Sequence, residues 1–316
     1  MRSMRVVEVT AYGGPEVLRM ARRPEPEAGA VPGRVRVRLK AAGVNQADLR
    51  IRAGRYADAV GDLRPPFVLG TDFAGKLLDP VAGMEPGARV AGFVPWFEML
   101  TGDGTYAEII WADPEWLAPV PDDVDFTVAA SLPLASATAQ QGLDRLDLPE
   151  GATLLVTGAS AVVGRLAVQY GSAAGMRVVA VAHEGDEPEL RVLGADHVVT
   201  RGTPEDVVAK VLAGDPDGVD AIFDGAIIGD ALLPALKNGG VFLALAPDRV
   251  PAAERDIRVE TVRAKPDAAR LAESLRKVAA RELTTRVADV MPLEEVAEAH
   301  RRAEAGHRPG RMILMI

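Results

Sequence analysis

The sequence predicts an α/β fold in which a doubly wound parallel sheet is inserted into a β-rich domain. Three observations predict it. Residues 151–182 read strand, glycine turn, helix, strand. From about residue 121 onward, strands and helices alternate, which is the pattern of a parallel sheet with crossover helices. Before residue 120 the chain instead reads as many short strands broken by Gly and Pro turns, as in an antiparallel barrel-like domain.

The central stretch is GATLLVTGASAVVGRLAVQYGSAAGMRVVAVA. Residues 153–157 are a β-branched and aliphatic run. After the turn, Val163, Leu166, Ala167 and Tyr170 fall at the i, i+3, i+4, i+7 spacing of one helix face. Gly171 and Gly175 weaken and then stop that helix. Residues 176–182 are a second buried-strand run, and a right-handed crossover makes the two strands parallel. The turn can hold an anion. The first N–H groups of a helix lack partners, and the macrodipole places partial positive charge there. Gly158 and Gly164 stand where the first and last glycines of a dinucleotide fingerprint stand, with Ala161 in place of the middle one. By itself the turn supports two readings: a pyrophosphate cradle, or a glycine-eased helix start packed on its strand.

The other elements follow in order. Residues 5–10 and 34–40 alternate apolar and polar residues as half-buried strands do, with loop material between them. Residues 47–53 form about one helical turn. Further strands are expected at 67–70, 72–78, 89–94 and 105–110. Residues 125–143 read as helical with Pro133 interrupting. A short helix at 187–193 closes at Gly194, and a strand follows at 197–200. Thr203 is a candidate N-cap with Pro204 at the first helical position and Asp206 favourable to the dipole; that helix runs to Gly214. A strand at 221–224, a helix at 231–237 ended by Gly239 and Gly240, and a strand at 241–245 complete the alternation. Near the end, Leu271, Leu275 and Val278 share a helix face, a helix runs from Pro292 to Gly306, and residues 311–316 form a last strand. The reading is a Rossmann-like domain at 123–262 inserted between 1–122 and 263–316, with ligands expected beyond the carboxyl ends of the parallel strands.

Composition narrows the function. A net charge of −9 argues against nucleic acid or an anionic membrane as the main partner. With no Cys, disulfides, thiolate metal sites and cysteine nucleophiles are excluded. Four scattered His offer no zinc spacing. No apolar run reaches ~18 residues and no signal peptide precedes Arg5, so a soluble cytoplasmic protein is expected. No Tyr is followed by Lys four residues on, which argues against a short-chain dehydrogenase.

Several stretches together resemble the medium-chain dehydrogenase/reductase superfamily, and within it the zinc-independent, zeta-crystallin-like quinone oxidoreductases. They are AYGGPEVL (11–18), AAGVNQADLRIRAGRY (41–56), PFVLGTDFAG (66–75), GDGTYAEI (102–109), SLPLASATA (131–139), GATLLVTGAS (151–160), LTTRVADVMPLEEVAEAHRRAEAG (283–306) and GRMIL (310–314). The resemblance implies a GroES-like fold for the β-rich domain, NADPH as cofactor, a homodimer, and hydride transfer to a quinone or an α,β-unsaturated carbonyl. Asn45 and the pair Thr71 and Asp72 occupy the places where zinc-dependent members carry Cys and His-Glu. Without a Lewis acid, a conjugated acceptor suits the site, because the added charge delocalises onto an oxygen that hydrogen-bond donors stabilise.

By the same resemblance Asn45 lines the nicotinamide side, Tyr56 is a catalytic candidate able to orient or protonate the acceptor, and Thr138 and Arg311 lie near the nucleotide. Gly158, Ala161, Val162, Val163 and Gly164 form the pyrophosphate turn. The second strand ends at Ala182 rather than at an acid, which leaves room for a 2′-phosphate beside His183 and Arg191. Each has a structural alternative: a turn asparagine, a packed barrel tyrosine, a helix hydroxyl bonding its own backbone, a strand-start charge, a loop histidine and a solvated helix arginine. Asp48 and Arg52 read as a structural ion pair or solvated surface. Ala161–Val162, where the family carries two glycines, and GAIIG (225–229), in place of a Val-Gly-Gly-like loop, are departures where the cofactor runs. They keep two further readings open: a binding or structural protein with weak nucleotide affinity, and a lyase or cyclase on the same scaffold.

Overall fold

A computed structural model of the protein describes residues 2–57, 64–81, 83–246, 249–306 and 309–316, with the side chain of Phe97 outside the description. In chain order the elements are β1 (Ser3–Val9), β2 (Leu18–Pro24), β3 (Val35–Val44), α1 (Gln46–Arg52), β4 (Phe67–Val68), β5 (Asp72–Leu77), β6 (Arg89–Phe93), α2 (Trp96–Met99), β7 (Ile109–Ala112), β8 (Ala118–Pro119), α3 (Phe126–Ala129) and α4 (Pro133–Leu146). There follow β9 (Thr153–Thr157), α5 (Val162–Ala173), β10 (Arg177–Ala182), α6 (Glu187–Val192), β11 (His197–Thr200), α7 (Pro204–Gly214), β12 (Val219–Asp224), β13 (Leu236–Ala244) and β14 (Arg258–Thr261). The chain closes with α8 (Ala268–Ala279), β15 (Val287–Pro292), α9 (Val296–Ala305) and β16 (Arg311–Met315).

The chain divides into two compact units, Met1–Leu134 with Lys265–Ile316, and Ala135–Ala264. The sequence predicts boundaries after residues 122 and 262; in the structure they fall after Leu134 and Ala264. Residues 123–134 carry α3, which packs on β3 and β5. The Leu134 N–H donates to the Asp72 carboxylate at 2.7 Å.

The second unit is a six-stranded sheet in the order β11-β10-β9-β12-β13-β14, with every pair parallel. All five residues of β9 are buried, as expected when helices cover both faces of a sheet. The strand order reverses between β9 and β12, which is the topological switch point where ligands bind in such sheets. Thr203 and Asp206 cap α7 reciprocally, at 3.2 and 3.3 Å. The expected helix at 231–237 is overturned. Residues Gly229–Ala235 are a 3-10 turn, and β13 begins at Leu236. Pro234 has no N–H to continue an α-helix. Gly239 and Gly240 lie inside β13, where the pairing with β12 shifts register between Val219 and Ala221.

In the first unit β1 pairs with both β2 and β4. A larger sheet runs β15-β16-β3-β5-β6-β8, with β7 also on β3. All its pairs are antiparallel except β15 with β16. The strand expected at 105–110 is confined to Ile109–Ala112. The preceding residues follow another path: the Tyr106 N–H donates to the Leu69 carbonyl, the Val7 N–H donates to the Tyr106 carbonyl, and the Thr105 hydroxyl donates to the Asp72 carbonyl. The core of this unit gathers Val6, Leu39, Phe67, Phe73, Tyr106 and Leu314. No helix among the described residues is long and apolar enough to cross a membrane.

Candidate functional site

The glycine turn joins β9 to α5 at the switch point. Gly158 has φ +66°, and a Cβ there would lie 2.9 Å from the Gly225 carbonyl carbon. A Cβ on Gly164 would lie 2.3 Å from the Gly158 oxygen. Both positions are therefore restricted to glycine, one by conformation and contact, the other by close helix–strand packing. Ala161 occupies the N-cap with ordinary extended backbone (φ −88°, ψ 165°) and gives α5 no side-chain cap. Its own N–H donates to the Gly158 oxygen at 2.9 Å. Ala161 is exposed, Val162 is buried and Val163 half-buried. The face of the turn is thus backbone and one methyl group. It keeps the donors and dipole of a helix N-terminus.

Neighbouring strand ends complete this region. The His183 N–H donates to Ser160 Oγ at 3.0 Å, which ties the end of β10 to the turn and leaves the His183 side chain exposed. Arg191 is committed elsewhere: its Nε meets Glu187 at 3.0 Å and its Nη1 donates to the Asp196 carbonyl at 2.8 Å. Thr138 is half-buried on α4. Where β9 and β12 end side by side, the Thr157 hydroxyl donates to Asp224 Oδ1 at 2.7 Å and accepts from the Ala226 N–H at 3.0 Å. Asp224 Oδ2 accepts from the Gly229 N–H at 2.8 Å. The GAIIG loop therefore folds around one buried carboxylate, with Ile227 held at φ +60°. Burial pushes the Asp224 carboxyl above the usual range, against the hydroxyl and backbone donors that favour its charge. Sequence reasoning missed Asp224; an acid ending an apolar run just before a glycine was the available signal.

The first unit assembles a second group of polar residues. Asn45 is buried at the N-cap of α1. Its N–H donates to Asp48 Oδ2 at 2.7 Å, and its Nδ2 donates to Asp72 Oδ2 at 3.0 Å. The positions compared above with Cys and His-Glu thus meet as an amide–carboxylate pair. Among the described residues no group of three or more His, Cys, Asp or Glu is placed to hold a metal ion. Asp48 also accepts from the Gly70 N–H at 3.3 Å and the Tyr106 hydroxyl at 3.4 Å. Burial pushes Asp48 up to about 7, partly opposed by its backbone donors and by Arg311. Burial raises Asp72 as well.

Arg311 is itself buried at the start of β16, donating to the Val44 carbonyl at 3.3 Å. It is not an exposed strand-start charge. Tyr56 follows α1, half-buried against the core of its unit. The expectation for Asp48 and Arg52 is overturned: both are fully buried, and Tyr106 and His300 stand between them.

Comparison with known proteins decides the family. Residues 31–122 match the family described as alcohol dehydrogenase GroES-like domain, and residues 193–314 the one described as zinc-binding dehydrogenase. A solved NAD-dependent alcohol dehydrogenase is 31% identical and superposes with a TM-score of 0.84 over 99% of this chain and 100% of that one. The chain belongs to the medium-chain dehydrogenase/reductase superfamily. Within that superfamily it is similar to the quinone-oxidoreductase-like branch. A mycobacterial quinone oxidoreductase is 26% identical, with a TM-score of 0.77 over 99% of this chain and 100% of its own. The NADPH-dependent alkenal/one oxidoreductase of Arabidopsis thaliana is 30% identical over 262 residues, 77% of this chain and 63% of that protein. The chain spans from 6% to 65% of the length of the curated relatives it matches. A Rossmann-like parallel sheet with a GroES-like domain is the architecture of this superfamily.

Proposed function

We propose that this protein is an oxidoreductase that uses NADPH to reduce a quinone or an α,β-unsaturated carbonyl without a metal ion. The observation that carries the reading is the turn at the switch point. Two of its positions admit only glycine, its helix start has no side-chain cap, and the adjacent strand β10 ends at Ala182 and His183 rather than at an acid. These features fit a nicotinamide dinucleotide with a 2′-phosphate. The backbone of Gly158, Ala161, Val162, Val163 and Gly164 would hold the pyrophosphate. Thr138 and His183 of the same unit are assigned to the remaining parts of the nucleotide, and the roles of Asn45 and Arg311 rest on the family resemblance alone. Arg191 contributes less, because its guanidinium is already committed to Glu187 and the Asp196 carbonyl.

NADPH supplies a hydride when bound, and the protein supplies position and electrostatics. Addition of hydride to a conjugated acceptor leaves charge on a delocalised oxygen. The Asn45 side-chain amide gives one N–H to Asp72, and its second N–H is a donor of the kind that stabilises such charge. One proton then completes the reduction, delivered by the Tyr56 hydroxyl or by water. Asn45 and Asp72, standing where metal ligands would be, favour this metal-free course. The Arabidopsis thaliana relative, an NADPH-dependent alkenal/one oxidoreductase, supports the acceptor class.

The test is NADPH consumption, followed by nicotinamide absorbance, across a panel of quinones, enones and simple aldehydes, with NADH in parallel. Turnover of conjugated acceptors, unaffected by chelators, is expected. Turnover of simple alcohols or aldehydes alone would overturn the acceptor class. Absence of any turnover would favour the non-redox reading that Ala161 and the GAIIG loop leave open.

A further inference from the structure

We propose that Arg52, His300, Tyr106 and Asp48 form one polarised hydrogen-bond circuit that fixes both ends of α1 and so positions Asn45 at its start and the segment that leads to Tyr56 beyond its end. The positioning role rests on the reductase reading above; the circuit itself does not.

The direction of the circuit follows from chemistry. Arg52 Nη1 lies 3.0 Å from His300 Nδ1. A guanidinium has donors and no acceptor, so Nδ1 accepts. A neutral imidazole then carries its proton on Nε2. His300 Nε2 lies 3.2 Å from the Tyr106 oxygen, so it donates there. The Tyr106 hydroxyl is left to donate to Asp48 Oδ2, 3.4 Å away. The two rings meet edge to face, 5.8 Å apart at 83°. His300 stays neutral, since burial and the neighbouring Arg52 push it down to about 3. Asp48 and Arg52 are four residues apart on α1, so the helix itself closes the loop.

Both ends of α1 are held by this circuit. Asp48 accepts the Asn45 N–H at the start. At the other end Arg52 Nε donates to the Gly13 carbonyl at 3.1 Å, Arg52 Nη2 pairs with Glu304 of α9, and the Gly13 N–H returns to the Arg52 carbonyl at 3.0 Å. Tyr56 follows four residues later. The remaining charges facing Asp48 are Asp72 on β5 and Arg311 on β16. Burying four such groups costs desolvation that an apolar repacking would avoid. A fully connected network returns rigidity instead, and α1 is what it rigidifies.

Two measurements test this on the full chain. The first is a nitrogen-15 histidine spectrum, with His300 assigned by its loss in His300→Gln. His300 is expected as the neutral Nε2–H tautomer at both pH 6 and pH 8. An imidazolium at pH 6, or the Nδ1–H tautomer, would overturn the circuit. The second compares His300→Leu with His300→Gln, whose amide offers an acceptor to Arg52 and an N–H to Tyr106. With NADPH affinity held within twofold in both, kcat/KM for the acceptor should fall at least tenfold in the Leu variant and return to within threefold of wild type in the Gln variant. Equal loss in both, or loss in neither, would overturn the positioning role. A wild type that consumes no NADPH sinks the reductase reading and the positioning role with it, while the tautomer still decides the circuit.

Discussion

The turn of the second unit and the circuit of the first unit solve opposite problems. The turn lies between adjacent elements, and its working surface is backbone. Gly158 and Gly164 matter for what they lack, since a Cβ on either would meet main-chain atoms. The circuit is built from side chains 194 and 248 residues apart, on α1, on the segment before β7 and on α9. Its members matter for what they donate and accept. A backbone site tolerates no added atom. A side-chain site tolerates no missing partner. The contrast predicts where each unit fails.

The largest effects should come from breaking the packing of the turn. Gly164→Ala places a methyl 2.3 Å from the Gly158 carbonyl, with only backbone to yield. It should cost about 3 kcal/mol in urea unfolding, at the upper end for overpacking. Gly214→Ala, with open space around it, should be neutral or slightly stabilising. Equal effects from the two substitutions would contradict the packing argument. In the circuit, Asp48→Ala leaves the Asn45 N–H, the Gly70 N–H and the Tyr106 hydroxyl without their acceptor. A loss of about 2–3 kcal/mol is expected in the same assay.

The pH dependence of stability sharpens the comparison further. Folding raises Asp48 from 3.8 to about 7, so between those values the folded state binds the extra proton and stability from this group falls as pH rises. Folding lowers His300 from 6.5 to about 3, so there the unfolded state binds the extra proton and stability falls as pH drops. From about pH 4 to 6.5 the two slopes oppose each other. Relative to wild type, Asp48→Asn should shift the slope toward loss of stability on acidification, by up to about 1.4 kcal/mol per pH unit. His300→Gln should shift it in the opposite sense. Urea titrations of both variants and wild type at pH 5, 6 and 7 check this, and slope changes of the same sign in both variants would refute it. The smallest effect is expected at Arg191→Ala: within about 0.5 kcal/mol for an exposed pair, with NADPH affinity changed less than twofold. A tenfold loss of affinity would mean that Arg191 leaves Glu187 for the 2′-phosphate.

What was legible in the sequence follows the same division. The Gly158–Gly164 turn and the Thr203–Asp206 cap are determined within a few residues, and the sequence located both. The strand alternation, and with it the parallel sheet, was legible from apolar runs and the glycines between them. Residues 231–237 were misread because a short apolar run fits helix and strand alike, and Pro234 decided the outcome. The burial of Arg311 depends on β16 pairing with β3, and that of Asp48 and Arg52 on contacts with Tyr106 and α9. No local pattern announces such pairings. The family resemblance named Asn45, but its bond to Asp72 required the fold to bring α1 and β5 together.

Whether the turn holds a dinucleotide can be read from nicotinamide fluorescence during titration. Wild-type protein and Ala161→Asp are each titrated with NADPH and with NADH. Tighter binding of NADPH by the wild type is expected, with at least a hundredfold loss in the variant, whose carboxylate would oppose the pyrophosphate at the start of α5. No binding of either nucleotide, or equal affinity in wild type and variant, would contradict it.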